Sequence, residues 1–257
     1  MRERRVEVPT RDGAMETFVA HPRENGPFPA VIVYMDIWGV REELFDIARR
    51  IAIVGYYCMV PDLYYRQGKV RNEYRNEKNQ MISLDRLDKE KEEIVHAPLR
   101  RLTDAMVVED TGSILGFIDR GEPVRPKGLG SIGYCMGGRH VFRVAGAFPD
   151  RFKASASLHG TELVTERDDS PHRTAMKAEG ELYCGFAEKD RFSPASLVRT
   201  LDQSLKESKV RYRYEVHEGA EHGYALPDRD VYDKRAANRD WEQIFAMYHR
   251  QIPSYAG

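Results

Sequence analysis

A cysteine lies at the centre of a glycine-rich turn, Gly-Tyr-Cys-Met-Gly-Gly at residues 133–138. A short apolar run at 129–132 leads into this turn, and a run with helical spacing at 136–148 leads out of it. This is the strand-turn-helix pattern of a nucleophile elbow, G-x-S-x-G, with cysteine in place of serine. The flanking glycines let strand and helix pass closely, and the helix N-terminus favours a thiolate. The pattern predicts that Cys135 is a nucleophile.

A carboxylate and a histidine follow, each in a loop after a predicted strand. Asp190 follows the strand at 181–186, and His222 follows the strand at 210–216. Nucleophile, acid and histidine thus have the chain order of the α/β-hydrolases. Loops at the carboxyl ends of parallel strands share one crevice. We therefore predict a triad in which His222 is general base and then acid, and Asp190 orients its ring.

Other acidic, histidine and cysteine side chains in the sequence can be weighed against the predicted triad. Glu188 competes with Asp190 as the acid, but Asp190 is favoured because its side chain is shorter and stiffer and precedes a predicted helix. His217 is expected to be a strand or loop side chain. Cys58 and Cys184 lie within apolar strands, so we expect both in the core.

Acyl transfer also needs donors for the oxyanion of its tetrahedral intermediate. The backbone N–H of Met136, directly after the nucleophile, is one candidate. The other is the N–H of Ile37, in the loop Asp36-Ile-Trp-Gly that follows the first buried strand. Trp38, in the same loop, is either a pocket wall or a packing residue under the first helix.

Composition limits the class of protein. The 257 residues, 41% hydrophobic, suffice for one large α/β domain spanning 1–257. The formal net charge of -1 gives no global field that favours nucleic acid or an anionic membrane. Three widely spaced cysteines form neither a disulfide framework nor a CxxC pair. With no apolar run near the length of a membrane span, we expect a cytoplasmic protein without nucleic-acid or membrane partners.

Alternating strand and helix patterns predict a mostly parallel central sheet with helices on both faces. Strands are predicted at 6–9, 15–20, 30–35, 56–60, 129–133, 152–158, 181–186 and 210–216, and helices at 41–54, 103–118, 136–148, 196–205 and 232–248. Residues 66–102 are dense in charged and polar side chains. We expect this excursion to be either a solvated helical segment over the sheet or a partly mobile cap near the site.

Several of these stretches together resemble the dienelactone hydrolases, the carboxymethylenebutenolidase-like α/β-hydrolases. The resemblance extends from about residue 5 to 250 and is carried by residues 31–40, 61–64, 133–138, 190 and 219–224. It implies the α/β-hydrolase fold, a Cys-His-Asp triad at Cys135, His222 and Asp190, and oxyanion donors at Ile37 and Met136. It also implies a cytoplasmic enzyme that opens lactones or cleaves small esters without a cofactor.

Two positions depart from that family's pattern. Asp36 occupies the place of a glutamate that pairs with the resting cysteine, and its shorter side chain is expected to need a bridging water to reach Cys135. Leu226 occupies the place of an arginine that clamps the substrate's carboxylate. We therefore expect a more apolar pocket, with Arg191 or an arginine of the excursion left to bind an acid group. The residues predicted to line this pocket are Trp38, Tyr64, His159, Tyr224 and Leu226.

The leading hypothesis is a cofactor-free hydrolase of lactones or small carboxylic esters that acts as a monomer or homodimer. A thioesterase or a short-acyl peptidase would use the same residues. From another class, a non-catalytic α/β-hydrolase-fold binding protein is the alternative, and the complete triad argues against it. We expect no metal site, because neither a second thiol nor a histidine pair occurs at ligand spacing.

Overall fold

An eight-stranded sheet runs through the computed structural model, which describes residues 1–256. The strands are β1 (Arg2–Thr10), β2 (Gly13–His21), β3 (Ala30–Tyr34), β4 (Tyr57–Pro61), β5 (Leu129–Tyr134), β6 (Phe152–Leu158), β7 (Glu181–Lys189) and β8 (Arg211–Glu221). Their order across the sheet is β1-β2-β4-β3-β5-β6-β7-β8. From β4 to β8 the neighbours are parallel, whereas β2 is antiparallel to both β1 and β4. The last residue of the predicted domain, Gly257, lies outside the described residues.

Helices cover both faces of the sheet, as predicted. They are α1 (Glu42–Ile53), α2 (Lys89–Arg100), α3 (Asp104–Asp119), α4 (Met136–Ala147), α5 (Pro171–Ala175), α6 (Ala195–Lys206) and α7 (Lys234–Gln251). A side chain of α1 contacts α7, with the Arg50 guanidinium 4.3 Å from the centre of the Trp241 ring. Helices α3, α4 and α5 form a second layer. No helix within residues 1–256 has both the length and the apolar character needed to cross a membrane.

The central strands are buried over their whole length. Every residue of β3, β4 and β5 is buried. A parallel strand covered by helices on both faces needs a continuous apolar run rather than an alternating one. The run Ala-Val-Ile-Val-Tyr of β3 meets that requirement, so these strands could be predicted closely. The predicted α/β fold is confirmed.

The strand at the edge of the sheet is longer than predicted. The prediction ended it at Val216, but β8 continues to Glu221. A register shift between Ala187 and Lys189 of β7 lets β7 and β8 stay paired. Val216 is half-exposed, because an edge strand presents part of its surface to solvent and carries a weak burial signal. Residues 218–221, predicted as loop, are therefore strand, and so is His217, which was predicted to be in either a strand or a loop.

The polar excursion at 66–102 contributes to the site. It contains short 3-10 turns at Tyr65–Gln67 and Leu84–Arg86, followed by α2. Its Met81 is held by backbone hydrogen bonds to the loop after β8, donating to Asp228 at 2.7 Å and accepting from Asp230 at 3.0 Å. Met81, Leu84 and Val95 form an apolar cluster with Ile37, Trp38 and Cys135. The excursion therefore forms a roof over the turn that bears the cysteine.

Candidate active site

The Cys135 turn has the backbone of a nucleophile elbow. Cys135 links the end of β5 to the first residue of α4, with φ 56° and ψ -118°. Positive φ is unfavourable for a residue with a side chain, so surrounding contacts must hold it. Its N–H donates to the Leu158 carbonyl at 3.1 Å, and its own carbonyl accepts from Gly138 and Thr161 at 3.0 and 3.1 Å. These bonds fix the sulfur at the carboxyl edge of the sheet.

The glycines on either side of the cysteine are sterically required. A Cβ on Gly133 would lie 2.1 Å from the Gly137 carbonyl oxygen. One on Gly137 would lie 2.3 Å from the Tyr34 carbonyl oxygen, on the neighbouring strand. Both separations are far inside van der Waals contact, so the turn and the start of α4 can approach β3 only with glycine at these positions.

Asp190 and His222 are hydrogen-bonded to each other. His222 Nδ1 lies 2.8 Å from Asp190 Oδ2. The other carboxylate oxygen of Asp190 accepts the N–H groups of Phe192 and Ser193 at 2.8 and 3.3 Å. Glu188, the competing acid, is exposed and accepts a different backbone N–H at 2.8 Å. Of the two carboxylates, Asp190 is the one that contacts the ring.

The His222 ring contacts two other rings, and the cysteine sulfur affects its pKa. The ring centres of Phe192 and His159 are 4.8 and 4.9 Å from that of His222. Within residues 1–256, the buried Nε2 has no partner at hydrogen-bonding geometry. Burial lowers the pKa of His222, but the charge of the Cys135 sulfur and the Asp190 carboxylate outweigh it and raise the pKa to about 10. His222 is thus suited to be an imidazolium beside the sulfur.

Two backbone N–H groups are available for an oxyanion. Met136 is the first residue of α4, so its N–H has no partner inside the helix. The Ile37 N–H donates to no acceptor among residues 1–256. The buried Tyr64 hydroxyl contacts both residues, donating to the Ile37 carbonyl at 3.1 Å and lying 3.5 Å from Met136 Sδ. This hydroxyl links the residues that carry the two candidate donors.

Asp36 is paired with an arginine that the sequence prediction did not consider. Its two oxygens accept from Arg41 at 2.7 and 3.0 Å, and Oδ1 also accepts the Trp38 N–H at 3.1 Å. Arg41 is buried and extends the pair to Asp228 at 2.6 Å. The Asp36 carboxylate makes no hydrogen bond to Cys135 among the described residues. Its shorter side chain is directed to Arg41 instead.

Cys135 and His222 line one narrow, charged cavity of about 40 Å³. The other lining residues of this charged cavity are Ile37, Trp38, Ser83, Leu84, Asp85, Arg86, Lys189, Phe192, Glu221 and Arg229. Arg229 is 4% exposed, lies 5.1 Å from the Trp38 ring centre, and is 3.9 Å from the nearest oxygen of Asp36. Its Nε has no partner among residues 1–256, and burial lowers the pKa of its guanidinium.

Sequence reasoning missed Arg229. Its only sequence signal is its place in the loop that also holds His222, seven residues further on.

Four residues predicted to line the pocket are buried behind it, which corrects that prediction. Tyr64 lies under the oxyanion donors. His159 is fully buried beneath His222, and neither of its ring nitrogens has a partner within residues 1–256. The Tyr224 hydroxyl donates to the buried Asp240 carboxylate at 2.6 Å, and Leu226 is fully buried in the core. Of the predicted set, only Trp38 reaches the charged cavity.

The remaining predicted side chains lie as follows. Cys58 and Cys184 are fully buried, and burial raises the pKa of each thiol. His217 lies within β8 and its Nε2 is 2.7 Å from Asp240. Arg191 is exposed and pairs with carboxylates of the excursion, outside the lining of the charged cavity. Arg86 lines the charged cavity but pairs with Glu221 and Asp230 at 3.0 and 2.8 Å, so the arginine available to a bound acid group is Arg229.

Known proteins resemble the chain over nearly its full length. The model of the dienelactone hydrolase family matches residues 15–251. A Synechocystis protein provisionally named carboxymethylenebutenolidase is 26% identical over 250 residues, covering 96% of each chain. A Saccharolobus solfataricus protein with the same provisional name is 29% identical over 260 residues, covering 93% of this chain and 95% of that one.

A solved structure of similar fold has a related name. The crystal structure of a protein from Klebsiella pneumoniae, provisionally named dienelactone hydrolase, superposes with a TM-score of 0.83 at 25% identity. The match covers 97% of this chain and 98% of the other. Sequence and fold thus agree on one family, and the predicted resemblance is confirmed.

Proposed function

We propose a function on the premise that these matches establish: the chain belongs to the dienelactone hydrolase family. In this proposal it hydrolyses lactones or small carboxylic esters through an acyl-cysteine intermediate on Cys135. One observation carries it. The His222 ring that bonds to Asp190 at 2.8 Å also borders the cavity that Cys135 lines, so nucleophile, base and acid adjoin in the order that acyl transfer requires.

Acylation begins with attack of the Cys135 sulfur on the substrate's carbonyl carbon. The S–C bond forms as the electron pair of the C=O π bond moves onto oxygen. The N–H groups of Ile37 and Met136 donate to this oxyanion as its charge develops. Among residues 1–256, neither N–H has another acceptor, so no internal hydrogen bond is lost when the oxyanion binds.

Collapse of this intermediate breaks the bond to the leaving oxygen. The His222 imidazolium gives its Nε2 proton to that oxygen, the alcohol departs neutral, and a thioester remains on Cys135. Neutral His222 then takes a proton from water as the water oxygen adds to the thioester carbon. Loss of the sulfur from this second intermediate releases the acid and restores the thiolate beside the imidazolium.

Asp190 makes the proton transfers of His222 possible. Its Oδ2 accepts Nδ1–H, which leaves Nε2 as the nitrogen that transfers protons and stabilises the imidazolium. The carboxylate is itself immobilised by the N–H groups of Phe192 and Ser193.

The charged cavity suggests that the substrate carries an anionic group on its leaving-group side. The leaving oxygen must approach His222 to be protonated, and His222 lines the same cavity as Arg86 and Arg229. A buried guanidinium whose Nε has no partner in the described part of the chain is suited to a carboxylate, which can accept two parallel N–H bonds. Arg229 would then supply the positive charge that the family's arginine provides at the position of Leu226.

Replacing the sulfur tests the proposal. We expect Cys135→Ala to abolish turnover of a chromogenic aryl ester while the circular dichroism spectrum stays unchanged. Cys184→Ala, which removes a buried thiol that does not line the charged cavity, should keep its turnover per folded molecule. Retained turnover in Cys135→Ala would end the proposal.

A further inference from the structure

Cys135 lines a second cavity that does not include His222. This cavity has a volume of about 150 Å³. Its lining is Ile37, Leu84, His96, Leu99, Cys135, Met136, Arg139, Thr161, Glu162 and Phe192. We call it the apolar cavity. The sulfur therefore lies where two cavities of different character meet.

The charged groups in the apolar cavity are already paired. Arg139 forms ion pairs with Glu162 and with Asp104, the latter at 3.0 Å. His96 Nδ1 bonds to the Glu92 carbonyl at 2.8 Å. The remaining side chains around the sulfur are aliphatic or aromatic, together with Met136 and one threonine. This lining matches a hydrocarbon group rather than a second anion.

The proposed chemistry decides which part of the substrate each cavity receives. The leaving group must lie on the His222 side, because His222 protonates it. The acyl group then extends from the carbonyl carbon in another direction, beside the oxyanion that Ile37 and Met136 bind. Both of these residues line the apolar cavity.

We propose that the apolar cavity is an acyl-binding arm for an open-chain, hydrocarbon acyl group of about six carbons. The inference rests on the proposed function and adds a substrate class to it. The size follows from the volume, since an apolar cavity of about 150 Å³ accommodates a benzene molecule. Small lactones and acetyl esters leave this arm unfilled, so they are not the substrates that the site fits best.

The roof helix α2 determines the length of the arm. Leu99 is partly buried and projects into the cavity, whereas Ile94, on the same helix, is 45% exposed. Burial of each added methylene is expected to improve kcat/KM about fourfold until the arm is full. Longer chains should gain nothing further.

A chain-length series tests the arm. We would measure kcat/KM for p-nitrophenyl acetate, butyrate, hexanoate, octanoate and decanoate with wild type, Leu99→Trp, Leu99→Ala and Ile94→Trp. In wild type, kcat/KM should rise to hexanoate and then level off or fall. Leu99→Trp should lower the hexanoate-to-acetate ratio at least tenfold, and Leu99→Ala should move the optimum to a longer chain. Ile94→Trp should keep the wild-type ratios.

Ratios of kcat/KM are independent of the fraction of enzyme that is folded, so partial misfolding of a variant does not obscure the result. Wild-type turnover with no chain-length dependence, or equal ratios in both Leu99 variants, would overturn the arm and leave the proposed function intact. No turnover of any ester by well-folded wild type would overturn both.

Discussion

The protonation of a single side chain, His222, links the geometry of the site to its pH dependence. Burial lowers the pKa of this imidazole, and Cys135 and Asp190 overcome that effect and raise the pKa to about 10. An unperturbed histidine loses its proton near pH 6.5. The imidazolium is therefore present at neutral pH and is lost only as the pH rises through about 10.

This shift predicts an alkaline limit for acylation. We expect kcat/KM for an alkyl ester, whose leaving oxygen needs a proton, to stay constant between pH 7 and about 9 and to fall above that range. Steady-state rates across buffers of constant ionic strength would measure the profile. A fall centred near pH 6.5 with rising pH would contradict the assignment of His222 as proton donor.

A second prediction at this scale concerns Arg229. Arg229→Met should lower kcat/KM about 10- to 100-fold for an ester with a carboxylate on its alcohol portion, because a charge-assisted hydrogen bond is lost. Its effect on the neutral counterpart should be much smaller. Arg191→Met is the matched control, since Arg191 lies outside the charged cavity and should leave the ratio of the two substrates unchanged.

Equal losses on both substrates would show that Arg229 supports the fold and does not recognise an anion. If only Arg191→Met changed the ratio of kcat/KM for the two esters, Arg191, which the sequence analysis suggested, would be the arginine that binds the anion.

The residues of the candidate site were predictable to different degrees. Cys135, Asp190 and His222 could be singled out because each follows a strand, and parallel strands bring those loops together. Arg229 and the Asp36–Arg41 pair could not, because they depend on how two loops and the excursion fold over the sheet. Tyr224 and His159 were placed in the right loops, but nothing in the sequence shows that their rings turn inward.

At the scale of elements, the elbow depends on close contact between α4 and β3. Gly137→Ala places a methyl group 2.3 Å from the Tyr34 carbonyl, so it should destabilise the fold by about 3 kcal/mol. Gly112→Ala, within α3, is the control. Its Cβ would lie 3.6 Å from the Phe148 ring, which is ordinary contact, and alanine favours a helix interior by up to about 1 kcal/mol. Urea unfolding measures both.

An unchanged free energy of unfolding in Gly137→Ala would mean that α4 can shift away from β3. The fixed position of the sulfur would then need another explanation.

Strong local patterns made most elements predictable, and their absence accounts for the rest. The run at 129–134 and the helical spacing after it mark β5 and α4 clearly. Helix α5 has five residues, too few for a periodic pattern, and was not predicted. The extension of β8 lies at the sheet edge, where pairing with β7 and not burial determines its length.

At the scale of the whole molecule, the sheet and the excursion together enclose the sulfur. The sheet positions Cys135, Asp190 and His222 along one edge. The excursion contributes Leu84 and Arg86 to the charged cavity, and Leu84 and Leu99 to the apolar one. Many polar side chains on its outer surface are exposed. The sparse apolar residues on its inner surface form the roof.

The most direct test of the account is the mass of the protein during turnover. Asp190→Asn should slow release of the acyl group from the sulfur, since His222 then lacks its orienting carboxylate. Glu188→Gln should behave like wild type. After rapid acid quenching of Asp190→Asn with p-nitrophenyl butyrate, intact and peptide mass spectrometry should find one butyryl group on the peptide that contains Cys135. Turnover with no such adduct, or with the group on another residue, would contradict the account.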